Sequence, residues 1–225
     1  NLCGSCAQAC PTGALSLLGE QYPEFVLAEI LLQDLEYMKN SGGGITFSGG
    51  EPAAHPKYLN QICQVLANEQ ISMAIETSGC FQWEPFAELV LPFLDIVYFD
   101  MKFATKELYE KYTGVSGETV FSNLALLSKY LKSYPKRTKL VVRVPLIPSI
   151  TLNQENITAI AVQLRDLEVS ECALLPFNPM GRHSYPPLGR VPYDLPRQWL
   201  TPQETDLAVD WFTSSFEGGK VYVWS

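Results

Sequence analysis

The sequence predicts an α/β fold built on a parallel sheet, and three observations carry that expectation. Short apolar runs alternate with amphipathic stretches of helical period along most of the 225 residues. Those runs are apolar throughout, as strands covered by helices are, instead of alternating with polar residues. Hydrophobic residues make up 47% of the chain, with few low-complexity stretches, which is the composition of a packed globular protein.

The elements follow in order. "EFVLAEILLQDLEYMK", residues 24–39, reads as one helix closed by Asn40-Ser41-Gly42. Gly44-Ile45-Thr46-Phe47 is the first strand. Leu59, Ile62, Cys63 and Leu66 then fall at i, i+3, i+4 and i+7, a helical stripe. "ISMAIETSG" is a second strand ending in Gly79, and a helix around Pro85 to Leu91 leads into "DIVYFDMK". Helices near 119–133 and 153–167 precede the strands "KLVVRVPLIP" and "CALLPFNP". Thr201-Pro202-Gln203-Glu204 is a capping box with proline at the first helical position, so a last helix starts there. Gly218-Gly219 closes it before the terminal strand "KVYVW". Five strands thus precede the terminal one, and nothing marks a second full domain. Residues 178–200 are proline-rich and irregular, the pattern of a lid, a partner surface or a disordered loop.

Composition narrows the function. A net charge of −8 without any Lys/Arg run argues against a nucleic-acid partner, since phosphate neutralisation needs a basic face. The longest apolar stretches, such as "ELVLPFLDIVYF", are broken by charge and proline well short of a membrane span, and there is no signal-peptide pattern. The chain opens on Asn1 instead of Met, which predicts a piece of a longer protein. Three of its six cysteines crowd into the first ten residues, so they do not form a disulfide framework. Cys63, Cys80 and Cys172 read as buried small hydrophobes, in a reducing, cytoplasmic setting.

Polar residues gather where the strands end, which is where parallel α/β folds place their sites. The first strand leads into Ser48-Gly49-Gly50-Glu51, the second into Glu76-Thr77-Ser78, the third into Asp100 and Lys102, and the fifth into Asn178. Arg143 lies within the fourth strand between Val142 and Val144, and a half-buried arginine there needs an acceptor, one of these carboxylates. Each has a plain explanation taken singly. Glu51 suits the start of a helix at Pro52, Glu76-Thr77-Ser78-Gly79 suits a turn, and Asp100 and Lys102, two apart on a strand, suit a local ion pair. Together, charges of both signs at one sheet edge suit a zwitterionic, amino-acid-like ligand.

Cys3-x2-Cys6-x3-Cys10-Pro11 matches the last three cysteines of the ferredoxin run C-x2-C-x2-C-x3-C-P, with zinc as the rival ligand. With "NSGGGITFSGGEP", "ETSG", "DIVYFDMK" and "LLPFNPMG" following in order, the chain resembles the glycyl-radical-enzyme activating enzymes, the radical S-adenosylmethionine (SAM) family that includes pyruvate formate-lyase activase. The resemblance spans essentially the whole chain. It implies a partial (β/α)6 TIM-like barrel lacking its first strand unit (residues 19–225), preceded by a partial ferredoxin-like 4Fe-4S segment (residues 1–18). The family's C-x3-C-x2-C motif for its catalytic [4Fe-4S] cluster is absent; the resemblance places it upstream of Asn1.

What the resemblance implies for individual residues can be stated. Gly49 and Gly50 let backbone approach the SAM amino group, Glu51 accepts from it, and Lys102 meets the SAM carboxylate. Glu76, Thr77 and Asp100 hold a monovalent cation beside that carboxylate, with Glu76 in place of the family's Asp. Arg143 contacts SAM or braces the carboxylates, and Asn178 stands where the pyruvate formate-lyase activase type carries a histidine that touches SAM. Cys3 and Cys6 ligate one accessory cluster and Cys10 its neighbour. The implied partners are a glycyl radical enzyme as protein substrate and a flavodoxin or ferredoxin as electron donor. Two rivals remain: a radical SAM enzyme acting on a small molecule, and an electron-transfer or scaffold protein with a degenerate barrel.

Overall fold

The structure is a computed structural model that describes residues 3–17, 19–134, 138–180, 195 and 197–224. Three short helices come first, α1 (Ser5–Gln8), α2 (Glu24–Leu31) and α3 (Leu35–Ser41). The sheet then begins with β1 (Gly44–Phe47), α4 (Pro56–Asn68), β2 (Ser72–Thr77), α5 (Trp83–Leu89) and β3 (Ile96–Asp100). It continues through α6 (Lys106–Thr113), α7 (Gly117–Ser133), β4 (Lys139–Leu146), α8 (Gln154–Asp166), β5 (Glu171–Pro176), α9 (Pro202–Thr213) and β6 (Lys220–Val223). The six strands lie side by side in chain order and every neighbouring pair is parallel.

That order decides how the two faces of the sheet differ. Crossovers between parallel strands are right-handed, so a sheet wound steadily in one direction puts its helices on one face. The residues pointing to that face are apolar and buried: Phe47, Ile75, Val97, Phe99, Val142, Val144, Cys172 and Leu174. They pack with Leu59, Ile62 and Leu66 of α4, Leu124 and Leu127 of α7, Ile157 and Ile160 of α8, and Phe212 of α9. The alternate residues point the other way and lie outside this core: Thr46, Ala74, Glu76, Tyr98, Asp100, Val141, Arg143, Ala173 and Tyr222. One face therefore holds the fold together and the other carries the polar residues.

Most predicted elements are present, including the capping box of Thr201 and Glu204 at the start of α9. The single helix expected over 24–39 is two. A 3-10 turn at Leu32–Asp34 separates α2 from α3, and its tighter winding turns the second half so that Met38 reaches the core. The helix expected from Pro85 to Leu91 starts earlier, at Trp83, and stops at Leu89, with Leu91–Phe93 forming a separate 3-10 turn around Pro92. Helix α6 was not expected, although Thr105 caps it and Gly114 ends it. Cys63 and Cys172 are buried, and burial pushes the Cys63 thiol up to about 12. Cys80, expected in the core, is half-buried instead, between the buried Gly79 and Phe81. Most of the proline-rich stretch 178–200, namely 181–194 and 196, lies outside the described residues.

The turn after β2 is held by a close approach of backbone to a core ring. Gly79 has φ 81°, and a Cβ there would sit 2.3 Å from Cζ of the fully buried Phe99 ring. Its carbonyl and that of Phe81 both accept from Nδ2 of the buried Asn123 on α7, at 2.9 and 2.8 Å. Gly79→Ala thus combines left-handed backbone strain with a clash that a core ring cannot relieve. It should cost on the order of 2–4 kcal/mol in urea unfolding at unchanged m-value; a midpoint within error of wild type would refute the packing described.

Candidate functional site

Two hydrogen-bonded assemblies occupy the C-terminal ends of β1 to β4. The first is centred on Arg143. Its Nε donates to Asp100 Oδ1 at 2.7 Å and its Nη1 to Glu76 Oε1 at 2.6 Å. Asp100 is the direct neighbour of Arg143 across β3 and β4, while Glu76 reaches it from β2 over the intervening strand. Ser48, just past β1, donates to Glu76 Oε2 at 2.9 Å, and Lys102 Nζ lies 3.5 Å from Asp100 Oδ2. The guanidinium also stands over the Tyr98 ring, 5.5 Å from its centroid. The side chain of Arg143 is 10% exposed, whereas those of Glu76, Asp100 and Lys102 are 33%, 24% and 28% exposed. The cation is sunk, and the carboxylates and Lys102 face outward.

Burial works against charge on Glu76, but the hydrogen bonds from Arg143 and Ser48 and the guanidinium's charge outweigh it and hold the carboxyl below its ordinary value. Burial likewise opposes charge on Arg143, and Asp100 and then Glu76 reverse that effect.

The second assembly is centred on Glu51. Its Oε1 accepts from Thr77 Oγ1 at 2.8 Å and from Ala53 N at 3.1 Å, capping the 3-10 turn Pro52–Ala54. Its Oε2 accepts from Ser78 N at 2.8 Å and Ser78 Oγ at 2.6 Å. A carboxylate has about four acceptor positions, and here the chain itself engages all of them. Glu51 therefore clips the turn after β1 to the turn after β2. Between the two assemblies lie Gly49, with φ 124°, and Gly50; a Cβ at either would have no atom within 4 Å.

The structure thus gathers Glu76, Asp100, Lys102 and Arg143 into one network and Glu51 and Thr77 into another. Thr77 is 2% exposed, engaged by Glu51 and by Gly79 N, and points to the face opposite Glu76. Adjacent strand residues do so by necessity, and that alternation was readable in the sequence. Asn178, exposed beyond β5, accepts from Met180 N at 2.9 Å, and no hydrogen bond among the described residues joins it to either assembly. Ser78 was visible in the sequence only as part of the polar end of the second strand, and Tyr98 carried no signal of its own; they take part because of where the strands place them.

At the N-terminal end, Cys3 and Cys6 are exposed and Cys10 is half-buried. Hydrogen bonds from Leu15 N and the Thr12 hydroxyl bring the Cys10 thiol down to about 7, within reach of the thiolate form that binds iron. Among the described residues no three His, Cys, Asp or Glu side chains converge on one metal position, so these thiols are not drawn to a single point. No helix of the described residues is long and apolar enough to cross a membrane.

A sequentially ordered parallel sheet with a charged network at the strand C-termini defines the class as an α/β fold whose candidate site lies where parallel sheets place theirs. Comparison with known proteins makes it more particular. Residues 1–16 match the family model of a 4Fe-4S binding domain. The chain is 34% identical over 203 residues to the isethionate sulfite-lyase activating enzyme of Nitratidesulfovibrio vulgaris, covering 86% of this chain and 64% of that protein. It is 31% identical to the (2S)-3-sulfopropanediol dehydratase activating enzyme of Klebsiella oxytoca and 31% identical to the 4-hydroxyphenylacetate decarboxylase activating enzyme of Clostridium scatologenes, covering 82% of this chain and 57% of each. The chain's homologues are thus activating enzymes of glycyl radical enzymes, as its motifs led us to expect. It spans a little under two thirds of the length of these curated relatives.

Among solved structures, a domain of a pyruvate-formate lyase-activating enzyme from Bacteroides vulgatus aligns with TM-score 0.64 at 22% identity, over 82% of this chain and all of that one. Streptococcus suis SuiB bound to its precursor peptide SuiA aligns with TM-score 0.67 at 10% identity, over 94% of this chain and 44% of that one. These likenesses establish the fold.

Arg143→Met would strip two partly buried carboxylates of their shared cation. Breaking a fully buried pair costs 3–5 kcal/mol; with a quarter to a third of each carboxylate exposed, we expect about 2 kcal/mol at pH 7. The sign with pH follows from Glu76, whose folded value is depressed. Its contribution is complete above the unfolded glutamate value near 4.3 and is lost as pH falls through the lower folded value. The stability gap between wild type and variant should therefore narrow below about pH 4 in urea titrations; a gap that widened on acidification would contradict the assignment.

Proposed function

We propose that this chain is the SAM-binding part of a radical SAM activase that generates a glycyl radical on a partner glycyl radical enzyme. The observation that carries the reading is the unfilled glycine turn beside a charge-balanced network. Gly50 has neither a positive φ nor an internal neighbour that a methyl group would strike, so nothing within the described fold demands glycine there. A ligand approaching the backbone does.

In this reading the backbone at Gly49 and Gly50 receives the SAM amino group. Glu51 shares in it when the rotatable Ser78 hydroxyl yields its place on Oε2. Lys102, with N–H donors beyond its long contact to Asp100, meets the SAM carboxylate. Arg143, fixed by Glu76 and Asp100, braces the floor. A monovalent cation at Glu76 and Asp100, with Thr77 taking part only through its main chain because its hydroxyl is held by Glu51 and Gly79 N, and a polar contact from Asn178 belong to the same proposal. When bound beside a [4Fe-4S] cluster and reduced by one electron, SAM supplies the 5′-deoxyadenosyl radical that removes a hydrogen atom from the partner's glycine. The C-x3-C-x2-C ligands for that cluster are not among this chain's cysteines. We assign residues 1–18 to a ferredoxin-like segment in which Cys3, Cys6 and Cys10 hold accessory clusters, and 19–225 to a partial (β/α)6 barrel lacking its first strand unit. The electron donor is a flavodoxin or ferredoxin, and the setting is the cytoplasm.

The full-length protein, reconstituted anaerobically with iron and sulfide and reduced, should form 5′-deoxyadenosine, whereas this chain alone should not. Product from the chain alone would place the iron ligands within it and overturn the assignment. Gly50→Ala should leave the urea midpoint within about 0.5 kcal/mol of wild type while weakening SAM binding at least about tenfold, since the new methyl group enters ligand space. Equal SAM affinity in that variant would remove the glycine turn from the site.

A further inference from the structure

Lys102 sits in an irregular segment held by main-chain hydrogen bonds to three buried or half-buried side chains. Met101-Lys102-Phe103-Ala104 follows β3 and is neither strand nor helix, so its backbone groups have no regular partners. Five nevertheless find one. Met101 N donates to Arg143 O at 2.9 Å and Lys102 N to the Tyr109 hydroxyl at 2.9 Å. Lys102 O accepts from Asn156 Nδ2 at 3.2 Å, and Ala104 N donates to Asn156 Oδ1 at 2.9 Å. Ala104 O accepts from Gln163 Nε2 at 2.8 Å, and Asn156 Nδ2 also donates to Thr151 O at 3.0 Å.

Met101, Phe103 and Ala104 are buried, as are Asn156 and Tyr109, at 3% and 2% exposure. Lys102 is the one side chain of the four that turns to the polar face. Its ion pair with Asp100, at 3.5 Å, is too long to pin a side chain with four rotatable bonds. The ammonium is therefore aimed from its backbone. Burying polar groups of Asn156 and Tyr109 is costly unless each is hydrogen-bonded, and the bonds they make converge on this segment.

We propose that Asn156 and Tyr109 are positioning residues for Lys102, holding its main chain so that the ammonium meets the ligand's carboxylate. The inference rests on the reading of Lys102 as the carboxylate partner of SAM. It adds two residues, from α8 and α6, that touch neither ligand nor cluster.

The test uses full-length protein reconstituted with iron and sulfide, with binding of SAM and of decarboxylated SAM measured anaerobically by equilibrium dialysis. Wild type should prefer SAM by at least about tenfold, and Lys102→Met should reduce that preference severalfold. Asn156→Ala and Tyr109→Phe should each weaken SAM binding about five- to tenfold while leaving the decarboxylated analogue within about twofold. In a Lys102→Met background neither change should weaken SAM further.

Equal weakening of both ligands, no weakening of SAM, or additive effects in the Lys102→Met background would reduce the two residues to scaffold and overturn the proposal. If Lys102→Met itself left the preference intact, the carboxylate role of Lys102 would fail first and the positioning role with it. Should Asn156→Ala not fold, Tyr109→Phe decides alone, since it removes one oxygen and leaves the buried ring in place.

Discussion

A guanidinium keeps its proton at any pH a protein survives, so burying Arg143 obliges the sheet to bring carboxylates to it. This requirement fixes more than one contact. Asp100 must stand opposite on β3 and Glu76 must reach across from β2, at 2.7 and 2.6 Å. A one-residue slip of either strand would turn those carboxylates into the apolar core and leave the cation unpaired. The register of β2, β3 and β4 and the polarity of the open face are thus one constraint seen from two sides. Tyr98, under the guanidinium, offers its ring face to the same cation.

The network's charge balance explains what it suits. Glu76 and Asp100 contribute two negative charges, Arg143 and Lys102 two positive ones, so the set is neutral but strongly polarised. A large net charge would attract a simple counter-ion, whereas this arrangement complements a ligand carrying both signs. Glu51 illustrates the contrast. It is a carboxylate whose four acceptor positions are all engaged by Thr77, Ser78 and Ala53, so that it joins two turns. One sequence motif therefore holds a residue fully engaged by the fold, Glu51, next to one without internal neighbours, Gly50, and the difference lies in their surroundings.

The parts legible in the sequence were those governed by local pattern. Continuous apolar runs located all six strands, and the need of a half-buried Arg143 for a carboxylate anticipated its pairing. Helix α6 escaped notice because "KELYEKYT" buries only Tyr109 and otherwise reads as a charged surface stretch. The break between α2 and α3 was hidden because a 3-10 turn preserves the apolar content while shifting its phase. The tie from Glu51 to Thr77 and Ser78 was hidden for a different reason. It joins residues 26 and 27 apart, and nothing short of knowing that β1 and β2 are neighbours brings them together.

The same reasoning applies to the loops at the ligand end, and it reveals a repeated device. Asn123, on α7 between β3 and β4, binds the carbonyls of Gly79 and Phe81 in the turn after β2. Asn156, on the helix after β4, binds Lys102 O and Ala104 N in the turn after β3. In each case a buried amide from one unit onward fixes the irregular segment where strand gives way to loop. Such segments cannot rely on helix or sheet for their hydrogen bonds, and left to water they would sample many conformations. Holding them by side chains from the neighbouring unit makes the order of the loops depend on the packing of helices against the sheet. A ligand then meets groups already in place and does not itself have to order them, which lowers the entropic cost of binding. The rigidity of the site is in this sense a property of the helices behind the sheet, and it explains why asparagines far from any ligand are buried there at all.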